Sequence, residues 1–180
     1  MRILQITDLH IGGVHEDTFG VDVRKNFDTI LEKARKSAPD LIVITGDLCF
    51  ETGNKEIYYW IHSKLESLNI PYSIIAWNHD DSSMMAEVFG LDNLMQQEAL
   101  YYGLMIEGHK VLYLDTSKNY LPKGQVDWLK DQLKTGNDRL IIFMHHPPAQ
   151  VGVPFMDENY PLENYLEVQE ILLESNREVH

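Results

Sequence analysis

Four short polar clusters, each placed directly after a run of apolar residues, constrain this chain more than any other feature. They are Asp8-Leu9-His10, Gly46-Asp47, Asn78-His79-Asp80 and His145-His146-Pro147-Pro148. The runs before them include Ile42-Val43-Ile44-Thr45, Tyr72-Ser73-Ile74-Ile75-Ala76 and Leu140-Ile141-Ile142-Phe143-Met144. A short apolar run bounded by turn-forming residues reads as a buried strand. A carboxylate, imidazole or amide thus recurs where a buried strand ends, and such donors gathered at strand ends predict a metal site. Alone, each cluster has a plain structural explanation: a chance Asp-x-His, a Gly-Asp turn, a satisfied Asn-His-Asp turn, a His-His-Pro turn. The fourth recurrence of one arrangement makes chemistry the stronger account.

The residue types fit that chemistry. Asp8 and His10 are two apart, so in an extended segment they project to the same side and can bind one ion together. Gly46 lets the backbone turn tightly and aim Asp47 into a cleft. One carboxylate can bridge two cations roughly 3.5 to 4 Å apart, and Asp47 is the candidate bridge. Asn78 offers a neutral amide oxygen, His79 an imidazole and Asp80 a carboxylate, while the two prolines stiffen the exit after His145.

The rest of the chain supplies a scaffold of α/β class. Strands are predicted at 2–7, 40–45, 72–76 and 139–144, and helices at Val23–Ser37, Glu56–Leu68, Gln125–Leu133 and Pro161–Asn176. In the first helix Phe27, Ile30, Leu31 and Ala34 recur at helical spacing. Strand and helix alternate through the first half, so the sheet there should be largely parallel. Leu100–Glu107 and Lys110–Asp115, separated by Gly108-His109, read as a hairpin. Stretches 11–22, 116–124 and 146–161, rich in Gly, Pro and polar residues, are the expected cleft walls. One domain over 1–180 is expected for this length.

Charge and composition exclude other classes. With 28 acidic and 15 basic residues the net charge is -13, which argues against a nucleic-acid polymer or an anionic membrane as partner. Cys49 is the lone cysteine, so an intrachain disulfide is excluded. Met1–Ile6 runs into Asp8 without a long apolar segment or a cleavage site, and a cytoplasmic protein is expected. His15, His62 and His109 read as loop, solvent-facing helix and hairpin-turn residues. Tyr58-Tyr59-Trp60 and Tyr101-Tyr102 read as packing aromatics.

The ordered blocks resemble the calcineurin-like metallophosphoesterases over nearly the whole chain. Phe143-Met144-His145-His146-Pro147-Pro148, Leu114-Asp115-Thr116-Ser117 and Gly124-Gln125-Val126-Asp127-Trp128-Leu129 are similar to the class III cyclic nucleotide phosphodiesterase and glycerophosphodiesterase branch. The resemblance implies a sandwich of two mixed β-sheets flanked by helices. It implies that Asp8 and His10 hold a first metal, that Asp47 bridges, and that Asn78 and His145 hold a second. His79 would stabilise phosphoryl charge or protonate the leaving oxygen, with Asp80 orienting its ring. His10, Asp47, Asn78 and His79 would contact the substrate, and His146 would support its loop. Water ionised by the two cations would attack phosphorus in line with the departing ester oxygen. Mixed imidazole and oxygen donors suit manganese, iron or zinc. The implied substrate is a small phosphodiester, a 3′,5′-cyclic nucleotide first and a glycerophosphodiester second; a homodimer is compatible with it.

Two departures bear on this expectation. The family has a glycine before the Asn-His pair, where this chain has Trp77, which does not easily take a positive φ. The family also ends its site with Gly-His-x-His, one histidine for each metal, whereas this chain reaches Glu178-Val179-His180, where such a strand would begin. The fold is therefore expected to be C-terminally incomplete, with truncation preferred over supply from another chain or true loss. True loss would make the chain a noncatalytic phosphoesterase-fold scaffold, as the retromer subunit of the superfamily is.

Overall fold

A computed structural model describes residues 1–134, 139–175 and 177–180. The chain forms two compact units, Met1–Leu100 and Tyr101–His180. In the first, β1 (Ile3–Ile6), β2 (Leu41–Thr45) and β3 (Tyr72–Ile75) form a sheet in the order β1-β2-β3. Every pairing is parallel, with Ile6 opposite Ile44 and Thr45 opposite Ile75. All five residues of β2 are buried, as expected for the central strand of a parallel sheet covered by helices.

Those helices are α1 (Val23–Ser37), α2 (Lys55–Glu66) and α3 (Ser82–Phe89). The Asp22 side chain caps α1 by accepting from the Lys25 amide, and Asn54 caps α2 by accepting from the Glu56 and Ile57 amides. Each cap satisfies amides that a helix start leaves without partners. Phe27, Leu31 and Ala34, three of the four residues expected at helical spacing, are the buried stripe of α1, as the helical period requires. A short antiparallel ribbon, β4 (Met95–Gln96) and β5 (Ala99–Leu100), closes this unit.

Because the sheet is parallel, its three strands end on one edge. The segments after β1, β2 and β3 are those that carry Asp8 and His10, Asp47, and Asn78 to Asp80. The parallel topology itself gathers the polar clusters of this unit.

The second unit begins with the expected hairpin, β6 (Tyr102–Ile106) and β7 (His109–Tyr113), joined through Glu107 and Gly108. Both turn residues have positive φ, 48° and 77°, as the favoured two-residue hairpin turn requires. His109 is therefore the first residue of β7, outside the turn. After α4 (Lys123–Lys134), β8 (Arg139–Phe143) lies parallel to β7, making a mixed sheet β6-β7-β8. Leu112, Leu114, Val126, Leu129, Leu140 and Val168 form its core.

Pro154–Asn159 forms α5, inside a stretch expected to be loop, and α6 runs Tyr165–Glu174. The helix expected from Pro161 thus starts four residues later, and its expected end at Asn176 lies outside the described residues. Beyond it, Val179 bridges Leu140 in parallel, and His180 exchanges backbone hydrogen bonds with Leu140 and Ile142.

Candidate metal centre

Backbone hydrogen bonds continue past the ends of β1 and β2 and draw their loops together. The Asp8 amide donates to the Gly46 carbonyl at 3.3 Å, His10 to Asp47 at 2.8 Å and Ile11 to Leu48 at 2.9 Å. The path is costly. Asp8, His10 and Asp47 have φ of 55°, 43° and 51°, and Gly46 has 93°. Gly46 takes this conformation freely, as the sequence predicts, but the other three carry Cβ atoms and store strain of order 1 kcal/mol or more each. The segment from Asp8 to His10 is thus left-handed at both ends, not extended as two-residue spacing suggested.

The strain aims the side chains at one another. His10 Nε2 stands 3.3 Å from Asp47 Oδ2 and 3.8 Å from Asp8 Oδ1. Carboxylate oxygens of Asp8 and Asp47 come within 4.8 Å. The His79 ring meets the His10 ring edge-on, with centroids 5.4 Å apart. Burial lowers the pKa of His10, against the pull of Asp8, and proximity to His79 lowers it further. A neutral imidazole is the form that ligates metals.

Asp47 is the most unusual member. Its side chain is wholly buried, and neither oxygen makes a well-formed hydrogen bond among the described residues. Burial, then Asp80, then Asp8 push its pKa up to about 8, with the nearby His79 amide offsetting only part of the rise. No lysine or arginine pairs with it among the described residues; Arg24 is spent on the Gly12 carbonyl and the face of Trp60. A buried carboxylate of this kind is a large cost unless a cation compensates it. The donor set of Asp8, His10 and Asp47 therefore fits a metal ion.

The third loop is organised by Asp80. Its carboxylate accepts from the amides of Leu48, Cys49 and Trp77 at 3.2 to 3.3 Å and from the Tyr58 hydroxyl at 3.1 Å. Tyr58 in turn accepts from the Asp81 amide at 2.8 Å. Burial raises Asp80 to about 6 against those hydrogen bonds, and raises Cys49 to about 12. Asp80 does not hold the His79 ring, the part expected of it. His79 Nδ1 instead lies 2.9 Å from the Glu51 carbonyl. Since a carbonyl only accepts, Nδ1 carries the proton and Nε2 is the outward nitrogen.

Asn78 sits exposed on the same turn. Trp77 does not have a positive φ and is nearly buried, so this backbone position is ordinary here. A cleft of about 590 Å³ opens beside Asp8, His10 and His79, within the size range of small-ligand sites. His145, in the second unit, follows β8, with its ring 5.8 Å from that of His146. His146 is buried, with Nδ1 2.9 Å from Thr116 Oγ1, and burial followed by His145 lowers its pKa to about 4. His15 is exposed. His62 is not simply solvent-facing, since its ring packs 5.1 Å from Phe89.

Sequence reading missed Tyr58 and the Glu51 carbonyl. Tyr58 belongs to a helical aromatic run that suggested only packing, and a backbone carbonyl leaves no residue signature at all.

The chain resembles known proteins over most of its length. The family model described as Calcineurin-like phosphoesterase matches residues 1–176. A probable cyclic nucleotide phosphodiesterase of Fibrobacter succinogenes is 32% identical over 172 residues, covering 96% of this chain and 67% of the relative. A probable glycerophosphodiester phosphodiesterase GpdQ of Arcobacter nitrofigilis is 29% identical over 168 residues, covering 87% of this chain and 61% of the relative. The chain thus spans only about two thirds of the length of these relatives. The crystal structure of a dimetal phosphatase from Danio rerio superposes with a TM-score of 0.75 at 12% identity, over 98% of this chain and 78% of that one, a likeness of fold. Among the described residues no helix is long and apolar enough to cross a membrane.

Proposed function

Because the chain belongs to the calcineurin-like phosphoesterase family, we propose that it is a metal-dependent hydrolase of small phosphodiesters, with a 3′,5′-cyclic nucleotide as first substrate and a glycerophosphodiester as second. The observation that carries the reading is Asp47: wholly buried, strained, without a well-formed hydrogen bond among the described residues, and beside a second carboxylate and an imidazole. A stability-driven design would not keep such a group. The names of the relatives from Fibrobacter and Arcobacter support the choice of phosphodiesters.

Asp8, His10 and Asp47 hold a cation, and Asn78 offers an amide oxygen to a second. When bound, manganese, iron or zinc supplies positive charge that polarises the phosphate and ionises water near neutral pH. The chain's own groups do the rest. His79, steered by the Glu51 carbonyl through Nδ1, presents Nε2 to the cleft, where in its protonated form it donates to the departing ester oxygen. Asp80 is a positioning residue: by gathering the amides of Leu48, Cys49 and Trp77 it fixes the loops that carry Asp47 and His79.

The test is hydrolysis of bis(p-nitrophenyl) phosphate with manganese by the wild-type chain, Asp47→Ala and His79→Ala. The reading expects both variants to lose most activity, and equal rates in all three would overturn it. The rival reading is a noncatalytic phosphoesterase-fold scaffold, which a protein that retains no metal and turns over no diester would favour.

A further inference from the structure

The cleft lined by Asp8, His10 and His79 is lined as well by the apolar side chains of Val21, Phe27 and Ile30 and by the rings of Phe19 and Phe50, which form an aromatic wall. The two rings meet nearly at right angles, 77°, with centroids 5.4 Å apart. Phe19 is 86% exposed, so its ring gains little from burial. Its φ is 55°, a left-handed conformation that is an outlier for a bulky side chain.

The conformation is nevertheless held firmly. The Gly20 amide donates to Asp17 Oδ1 at 2.8 Å, the Val21 amide to the Thr18 carbonyl at 3.1 Å, and the nearly buried Thr18 donates from Oγ1 to the Val21 carbonyl. The turn thus keeps a phenyl ring mostly in solvent, at a cost in strain, with the edge-on contact to Phe50 as its packing. Contiguous apolar surface in a groove marks a ligand site, and the Phe19 and Phe50 rings adjoin in this cleft.

We infer that the wall of Phe19 and Phe50 takes the nucleobase of a nucleotide diester whose phosphate lies at the neighbouring carboxylate and histidine cluster. The inference rests on the reading of that cluster as a phosphodiester site. A base offers the flat π-face that an exposed aromatic ring stacks against. Apart from Asp8 and the two histidines, the described lining residues carry no charge, which suits a neutral heterocycle. A cleft of about 590 Å³ also has the size of a small-ligand site, with room for a base beside the phosphate. The wall therefore separates nucleotide from glycerol diesters.

The experiment measures binding apart from turnover, using zinc-loaded wild type, Phe19→Ala and Phe19→Trp. The probe is the 5′-monophosphate of 2-aminopurine riboside, whose fluorescence is quenched on stacking, with inorganic phosphate as competitor. Wild type and Phe19→Trp should quench it saturably, while Phe19→Ala binds about tenfold more weakly, as loss of one base-stacking ring predicts, with the phosphate constant unchanged. Hydrolysis of cyclic AMP should show the same rise in KM, and glycerophosphoethanolamine none. Unchanged nucleotide binding in Phe19→Ala alongside intact phosphate binding overturns the wall but spares the hydrolase. A loss confined to glycerophosphocholine overturns it in favour of a cation-binding wall, and absence of both phosphate and nucleotide binding overturns both readings. Quenching without hydrolysis of any diester supports the wall and overturns the hydrolase.

Discussion

Replacing Asp47 by asparagine should stabilise the metal-free protein at alkaline pH while destroying its response to metal. In the fold the Asp47 pKa is pushed from an ordinary 3.8 up to about 8, chiefly by burial and then by Asp80 and Asp8. At pH values below the unfolded pKa the acid is protonated in both states and contributes nothing. Between about pH 4 and 8 the unfolded chain releases this proton while the fold retains it, so stability falls as pH rises. About four pH units at about 1.4 kcal/mol each give a ceiling of about 6 kcal/mol. Sharing of the charge with Asp80 and Asp8, and the roughly 1–3 kcal/mol cost of burying an amide without partners, reduce the expected gain. Asp47→Asn should be about 2–4 kcal/mol more stable than wild type at pH 8 with EDTA, and no more stable at pH 4. With manganese at roughly a hundred times its Kd, wild type should gain about 2.7 kcal/mol, and the variant little. Urea denaturation at both pH values, with and without metal, measures all four quantities. A variant that is no more stable than wild type at pH 8 in EDTA, or whose advantage is the same at pH 4, would refute the reasoning.

Two further substitutions test the scaffold under the cluster. Tyr58→Phe removes the hydroxyl that donates to Asp80 and accepts from the Asp81 amide, and should cost about 1–3 kcal/mol in thermal denaturation and weaken metal affinity measured by calorimetry; unchanged stability would show that this hydroxyl does not tie the loops. At Gly53 a Cβ would stand 2.7 Å from the Asp81 amide nitrogen and 2.6 Å from the Asp81 Cβ. Gly53→Ala should therefore destabilise by about 1–3 kcal/mol, as overpacking does, and a Tm equal to that of wild type would contradict the close approach.

The strands and α1 were legible because burial leaves a periodic trace. β2 reads as Leu41-Ile42-Val43-Ile44-Thr45 because a central parallel strand is covered on both faces, and α1 was bounded correctly by its apolar stripe and charged ends. Short helices without such a trace were not legible. α3 follows Asn78-His79-Asp80 directly, and its only signals are the Asp81 cap and Gly90, which takes φ of 69° at its end. α5 spans six residues and has no side-chain cap, so Pro154 at its start reads equally well as loop. The cluster of Asp8, His10 and Asp47 was legible from strand ends, but its strain was not, since left-handed aspartate and histidine look like any others in sequence. Asp80 was misassigned for a related reason: its partners at 48, 49, 58 and 77 are adjacent only once the parallel sheet has brought three loops to one edge. Phe19 lay in a stretch read only as a cleft wall, and its exposure is a property of the fold.

The claim beneath all of this is that a buried, strained carboxylate and its neighbours exist to hold a cation. Diffraction from zinc-soaked crystals, collected on both sides of the zinc absorption edge, tests it most directly. The account predicts an anomalous peak about 2.0–2.2 Å from Asp47, from Asp8 and from His10 Nε2. Zinc bound only elsewhere on the surface, with the Asp47 carboxyl left buried and unligated, would contradict it.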